Sequence, residues 1–280
     1  MGLSGLMAAK TAAEMGKKIL IIGKGMGSLC LFSNTIDVLG ELPNMMRMGE
    51  GLSQWIKNHP EHPYAKVGAE QIHLALSSFT SLFPPPYSFQ TRDIGNYQIP
   101  TGVGTFRPTY LIPATMFAGA MLKEGDALFI GFKGFKDFYA DYVADQLQCR
   151  GITLSLPDAF GQEMNSTALS RLFEQRSFRE MVAREVKGHL KSESRVGFPA
   201  LLGIREPFTV RKEMEERVGV EIFEIPILPP SIPGVRIFNR FKEWLIQKGV
   251  TFLLGHPISK AIVKNKRGES LEISHAPLSN

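Results

Sequence analysis

Apolar and polar positions along this 280-residue chain switch between a helical period and a strand period. Small and apolar residues at helical spacing (Leu6, Ala9, Ala13) predict a helix over 6–15 that lies close against a sheet. Gly16 ends it, and the continuous apolar run 19–22 reads as a buried parallel strand. Residues 41–92 read as helices and loops. A helix is predicted over 68–83, stopped by Pro84, Pro85 and Pro86, because proline lacks the N–H and clashes with the preceding turn. Short strands and turns surround "GTFRPTYLIP" in 93–126. A strand follows at 127–132, then a helix at 137–149, a strand in "GITLSLPDA" and a long amphipathic helix over 165–190. The stretch "VGFPALLGI", then helix and strand in "TVRKEMEERVGVEIFEIPI", continue the alternation, which predicts a second unit with its own sheet. Past 234, Ile237, Phe238, Phe241 and Leu245 mark a helix capped by Gly249, and three strands with a basic turn follow.

Composition narrows the class. At 44% hydrophobic and 21% charged residues, the chain has material for one large core or two smaller ones. No apolar run reaches the roughly 18–20 residues that span a bilayer, and no secretory leader pattern opens the chain. Cys30 and Cys149 are far apart and outside any C-x-x-C pair, so free thiols and no metal site are expected. The net charge of +5 is not gathered into a basic patch with interleaved aromatics. Its longest tract, 264–268, reads as a hairpin tip, and nucleic-acid binding is not expected.

The candidate chemistry begins at the first residues. Gly2 and Gly5 have the spacing of the last two glycines of G-x-G-x-x-G, followed by helix, Gly16 and apolar strand. Such glycines let backbone amides approach a pyrophosphate at a helix N-terminus. The strand then ends in Gly23-Lys24-Gly25, where a ribose-binding acid is expected for a nicotinamide cofactor. Its absence favours a flavin, FMN or FAD. Ser28, Ser33, Asn34 and Thr35 supply hydroxyls, an amide and small side chains for a phosphate or a flavin edge; a plain loop has the same composition. Arg107 follows glycines and precedes a proline, on an expected exposed turn. Two readings stay open for it: a clamp on a carboxylate or phosphate, or a partner for an acid of the chain itself. His62 reads as a helix-edge residue rather than a base, and "LPPSIPGVR" reads as a stiff linker that also offers Ser231 and Arg236 to a site. No G-x-S-x-G, H-E-x-x-H or complete P-loop is present.

Taken in order, "GLSGLMAAKTAAEMGKKILIIGKGMGSL", "SNTIDVLG", "HPY", "GTFRPTYLIP", "LPPSIPGVR" and "RFKEWLIQKGVTFLLGHPI" resemble the B subunits of the anaerobic glycerol-3-phosphate dehydrogenases. That family lies in the fumarate-reductase/succinate-dehydrogenase-like FAD superfamily. The resemblance implies an α/β fold: an incomplete, discontinuous Rossmann-like FAD/NAD(P)-binding domain (1–92 and 234–280) with an inserted α/β substrate domain (93–233). It implies oxidation of sn-glycerol 3-phosphate to dihydroxyacetone phosphate, with electrons passed to the quinone pool. The implied partners are a catalytic FAD subunit, together with an iron–sulfur subunit, on the inner face of the cell membrane. Gly2, Gly5, Ser28, Ser33 and Thr35 fall on the family's flavin-side stretches, and Asn34 stands where glycine is expected. Against that pattern the chain reads as truncated at both ends. The competing expectation is a non-catalytic assembly subunit that no longer binds flavin.

Overall fold

The structure, a computed structural model, describes residues 1–42, 46–157 and 164–273. In chain order the elements are α1 (Leu3–Glu14), β1 (Leu20–Gly23), a 3-10 turn (Gly27–Leu31), α2 (Met48–Asn58), α3 (Pro63–Val67) and α4 (Ala69–Thr80). Then come β2 (Phe89–Gln90), β3 (Tyr97–Pro100), β4 (Phe106–Thr109), β5 (Ile112–Pro113) and a second 3-10 segment (Ala114–Met121). β6 (Ala127–Phe132), α5 (Ala140–Gln146), β7 (Arg150–Leu154), α6 (Ser166–Phe173), α7 (Arg176–His189), β8 (Arg195–Pro199), α8 (Pro207–Val218) and β9 (Glu221–Ile225) follow. The last are α9 (Ile232–Gln247), β10 (Thr251–Leu254), β11 (Ile258–Lys264) and β12 (Arg267–Ile273). The fold is mixed α/β. The elements form two units, Met1–Leu31 with the chain from Gly234, and Phe32–Pro233. Residues 32–92 fall in the second of these units.

In the first unit, α1 buries Leu6 and Ala9, as the small-residue spacing predicts. Lys10 of the same face is buried too: its Nζ lies 2.6 Å from Glu14 and 5.3 Å from the Trp244 ring on α9. β1 runs parallel to β10, from Leu20 beside Thr251 to Gly23 beside Leu254. The expected fully buried strand is only half realised, for Ile21 is buried but Leu20 is exposed. Among the described residues β1 pairs with β10 alone. The predicted apolar face of α9 is buried as Ile237, Phe238, Phe241 and Leu245. Gly249, at φ +79°, closes that helix by donating to the Ile246 carbonyl. β11 and β12 form an antiparallel hairpin. Its tip, Asn265-Lys266, has both residues left-handed, the turn that matches strand twist, and the predicted basic turn is this tip.

The second unit is built on a four-stranded parallel sheet in the order β7-β6-β8-β9. Every residue of β6 is buried, as its unbroken apolar run requires. α5 starts three residues later than the pattern predicts and lies directly on the sheet. Gly151 of β7 makes that approach possible, since a Cβ there would stand 2.5 Å from the Ala140 carbonyl oxygen. The single helix expected over 165–190 is two helices. Asn165 caps α6 through the Ala168 amide, and Arg179 of α7 donates from Nη1 to the Phe173 carbonyl at 2.8 Å, closing α6 one turn before α7 begins. The β3–β4 hairpin carries the glycines of "TGVGT" at its tip. Gly102 donates to the Pro226 carbonyl at 2.9 Å, and a Cβ on Gly104 (φ +74°) would lie 2.5 Å from Cβ of Gln146. These glycines serve the packing of the hairpin against the sheet unit.

Two substitutions test this account. Gly151→Ala forces α5 off β7 and is expected to cost about 1–3 kcal/mol in urea unfolding. Glu193 is buried beside Arg150 and accepts the Lys191 amide at 2.7 Å. Burial pushes its carboxyl up, but the Lys191 amide, its own backbone and Arg150 outweigh that and hold it below the ordinary range. A lowered folded value means the carboxylate stabilises the fold above the unfolded value of about 4.3 and loses that effect as pH falls through the folded one. Glu193→Gln should therefore cost about 1–2 kcal/mol at neutral pH. The gap to the parent chain should close on acidification.

Candidate functional site

In the first unit, the predicted phosphate turn is the N-terminus of α1. Gly2 is its N-cap, with no side-chain cap and no acid in the first turn, so the amides of Leu3, Ser4 and Gly5 have no intrahelical acceptor. The structure brings Ser28 to this turn: its Oγ lies 3.6 Å from the place a Cβ on Gly2 would occupy. Gly27, at φ +60°, passes within 3.2 Å of the Gly2 nitrogen by the same measure, an approach a side chain would block. Gly5 is exposed, with open space where its side chain would stand, so it does not serve helix–strand packing here.

In the second unit, the motifs that the sequence scatters meet on one segment, 32–40. Ile36 bridges Leu111, and its carbonyl accepts from the amides of Tyr110 and Leu111 at 3.2 and 3.0 Å. Ser231 donates its hydroxyl to the Phe32 carbonyl. Tyr64 donates to Val38 O at 2.9 Å, and Asn96 donates from Nδ2 to Leu39 O at 2.6 Å. Tyr87 donates to Asn34 Oδ1 at 3.2 Å. The segment is irregular, so these side chains do for its carbonyls what a strand partner does elsewhere.

Within the segment, the Ser33 and Thr35 hydroxyl oxygens are 3.0 Å apart. Asn34 between them is left-handed at φ +69° and wholly enclosed, 0% exposed. Its position is thus one that favours glycine, and asparagine is the side-chain-bearing residue that tolerates it best. Arg107 is not on a turn. It lies on β4 opposite Ile99, and its Nη2 pairs with Asp37. The open question about its partner is answered by an acid 70 residues away, and Arg107 stays 46% exposed with its other N–H groups unclaimed. Burial pushes the nearby Tyr110 phenol up, with the Thr91 hydroxyl pulling the other way, so it remains a donor at neutral pH and not a base. His62 caps α3: its Nδ1 accepts the Tyr64 amide at 3.2 Å, the helix-edge role expected of it. With Trp55, Tyr64 and Glu41 it also lines a cleft of about 300 Å³ behind Val38–Gly40.

Parallel sheets commonly bind ligands at the carboxyl ends of strands where their order reverses, here between β6 and β8. The amides after β8 are already taken. Leu202 donates to Glu224 at 2.9 Å, and Ile204 and Arg205 donate to Glu174 at 2.6 and 2.8 Å. Two carboxylates at that crevice repel an anion, whereas the α1 N-terminus carries none. Cys30 and Cys149 are free thiols, and no group of histidines, cysteines and acids among the described residues is placed to hold a metal. Asp37, Tyr87 and Asn96 are the site residues that sequence reasoning missed. Asp37 sat inside a recognised motif without a partner in view, and Tyr87 and Asn96 carry no sequence signal at all.

A helix N-terminus without a side-chain cap or first-turn acid, in a mixed α/β fold, is compatible with binding a dinucleotide phosphate. The chain belongs to the FAD binding domain family, which matches residues 1–271. Similar curated proteins include one from Halobacterium salinarum, named as the probable B subunit of an anaerobic glycerol-3-phosphate dehydrogenase, 30% identical over 93% of this chain and 65% of its own length. Proteins named as the B subunit of the anaerobic glycerol-3-phosphate dehydrogenase from Aliivibrio fischeri (28% identical, 91% of this chain and 61% of its own) and Vibrio cholerae (26%, 98% and 67%) are also similar. The chain spans about two thirds of the length of these relatives, 65% of the first. No solved structure matches it. The residues at the α1 turn fit the family's flavin: three amides without an intrahelical acceptor and the Ser28 hydroxyl stand there, and the first turn carries no acid.

The Arg107–Asp37 pair is half-exposed, and such pairs contribute little to stability. Arg107→Ala should shift the unfolding free energy by less than about 1 kcal/mol. Gly104→Ala, on the same hairpin, should cost about 1–3 kcal/mol. Parallel urea curves for the two variants check this contrast.

Proposed function

We propose that this chain is the flavin-binding subunit of an anaerobic glycerol-3-phosphate:quinone oxidoreductase. The substrate is sn-glycerol 3-phosphate, the product dihydroxyacetone phosphate, and the electrons pass onward to the quinone pool. The relatives' names support the substrate and the setting within a multi-subunit enzyme. The partners in this reading are a catalytic FAD subunit plus an iron–sulfur subunit, which hold the complex on the cytoplasmic face of the membrane. The flavin fold is discontinuous in the same reading, interrupted by the parallel-sheet unit.

The observation that carries the reading is the uncapped α1 N-terminus with Ser28 beside Gly2, in a chain of an FAD-binding family. Gly2, Gly5 and the first-turn amides hold the flavin's phosphate, with Ser28 donating a hydroxyl. Ser33 and Thr35 offer the flavin the one O–H that their mutual hydrogen bond leaves free, while the enclosed Asn34 contributes only its backbone conformation. Arg107, oriented by Asp37, offers its remaining guanidinium donors to the substrate's phosphate. A bound flavin supplies the two-electron acceptor that alcohol oxidation requires. A second reading, a non-catalytic assembly subunit, is favoured by one feature: Arg107 is already paired with Asp37.

Purification separates the two readings. The first expects a yellow protein, or one that turns yellow on reconstitution with FAD or FMN. Ser28→Ala and Thr35→Ala should then each weaken flavin binding roughly two- to tenfold in a fluorescence titration. A colourless chain that takes up neither flavin overturns it.

A further inference from the structure

The turn at 33–35 holds a detail that flavin contact alone does not require. Asn34 is left-handed and wholly buried, and its side-chain Nδ2 has no hydrogen-bond partner. Glycine adopts this backbone conformation without strain and buries no amide. An asparagine kept only for its φ angle would carry an uncompensated buried N–H₂ group for nothing. The side chain therefore has a use on its other end, where Oδ1 accepts the Tyr87 phenol at 3.2 Å.

That bond reaches across 53 residues. Tyr87 is itself packed edge-on between Phe83 and Phe89, with ring centroids at 6.3 and 6.2 Å. Phe83 and Phe89 in turn pack on Phe79 of α4. The phenol oxygen is thus fixed by a rigid aromatic cluster. In an extended strand, residues two apart point the same way but stand roughly 7 Å from each other. The left-handed turn at Asn34 folds that distance down, so that the Ser33 and Thr35 hydroxyls meet at 3.0 Å.

We infer that Tyr87 and Asn34 are a positioning pair: the Tyr87 phenol, through Asn34 Oδ1, holds the left-handed turn that presents Ser33 and Thr35 together to the flavin. The inference rests on the reading of Ser33 and Thr35 as flavin contacts. Tyr87 touches no cofactor in this scheme and acts through Asn34. Its absence leaves the hydroxyls present but no longer held as a pair.

The test uses the full chain with Tyr87→Phe, Asn34→Gly and the double substitution, titrated separately with FAD and with FMN. Flavin fluorescence reads the affinity, and the thermal midpoint without flavin reads the fold. Tyr87→Phe should weaken flavin binding roughly two- to tenfold, the span one hydrogen bond commands. Asn34→Gly, which keeps the backbone conformation and removes the same bond, should weaken it similarly. In the Asn34→Gly background, Tyr87→Phe should add nothing. If Tyr87→Phe does not fold, Asn34→Gly alone decides, and parental affinity in that variant sinks the pair. Additive losses, or a lowered thermal midpoint with unchanged flavin affinity, overturn the inference while leaving the flavin reading intact. A parent chain that binds neither FAD nor FMN removes the flavin reading itself, and the inference with it.

Discussion

The hydrogen bonds onto the backbone of 32–40 are the constraint on which the second unit's site depends. An irregular, partly buried segment has carbonyls that water does not reach and no strand ladder to satisfy them. Here Ser231, Tyr64, Asn96 and the amides after Thr109 meet that need. Their donors come from 26 to 199 residues away in the chain. The segment's shape therefore depends on the helices, the β3–β4 hairpin and the turn before α9. Local propensity alone would leave it a loop of small polar residues.

The parallel sheet is the scaffold that makes such placement possible. β6 is buried along its whole length, and α5 sits on the sheet at glycine distance. The β3–β4 hairpin is wedged by Gly102 and Gly104 against the ends of β9 and α5, and its outer strand delivers Arg107 to Asp37. The glycines of that hairpin mark a turn in the sequence. In the folded chain they are contact points between backbones. The same distinction separates the two candidate anion sites. After β8, Glu174 and Glu224 already occupy the loop amides; at α1 the amides are uncapped and no acid stands in the first turn.

Asn34 illustrates how a left-handed position is filled without glycine. Where glycine is expected, the chain needs a left-handed residue, and asparagine supplies it at modest steric cost. The side chain then has to be buried, and Tyr87 satisfies one of its ends. A residue that reads in sequence as a ligand contact is in the fold a wholly enclosed link between an aromatic cluster and a turn.

What the sequence determined by itself was periodic or punctuated: the strand over 127–132, the helices over 69–80 and 232–247 to within a few residues, the hairpin tip at Asn265-Lys266, and the glycine turn before α1. These follow from side-chain period, proline and glycine, which act within a few residues. The break between α6 and α7 was not legible, because it is made by Arg179 reaching back to a carbonyl that only the folded chain places beside it. Nor were the Asp37 partner of Arg107, the Tyr87 anchor of Asn34 or the carboxylates after β8. Each is a single polar contact between residues remote in sequence, with no period to announce it. Such contacts come into being only when tertiary packing removes water from both groups and leaves them each other.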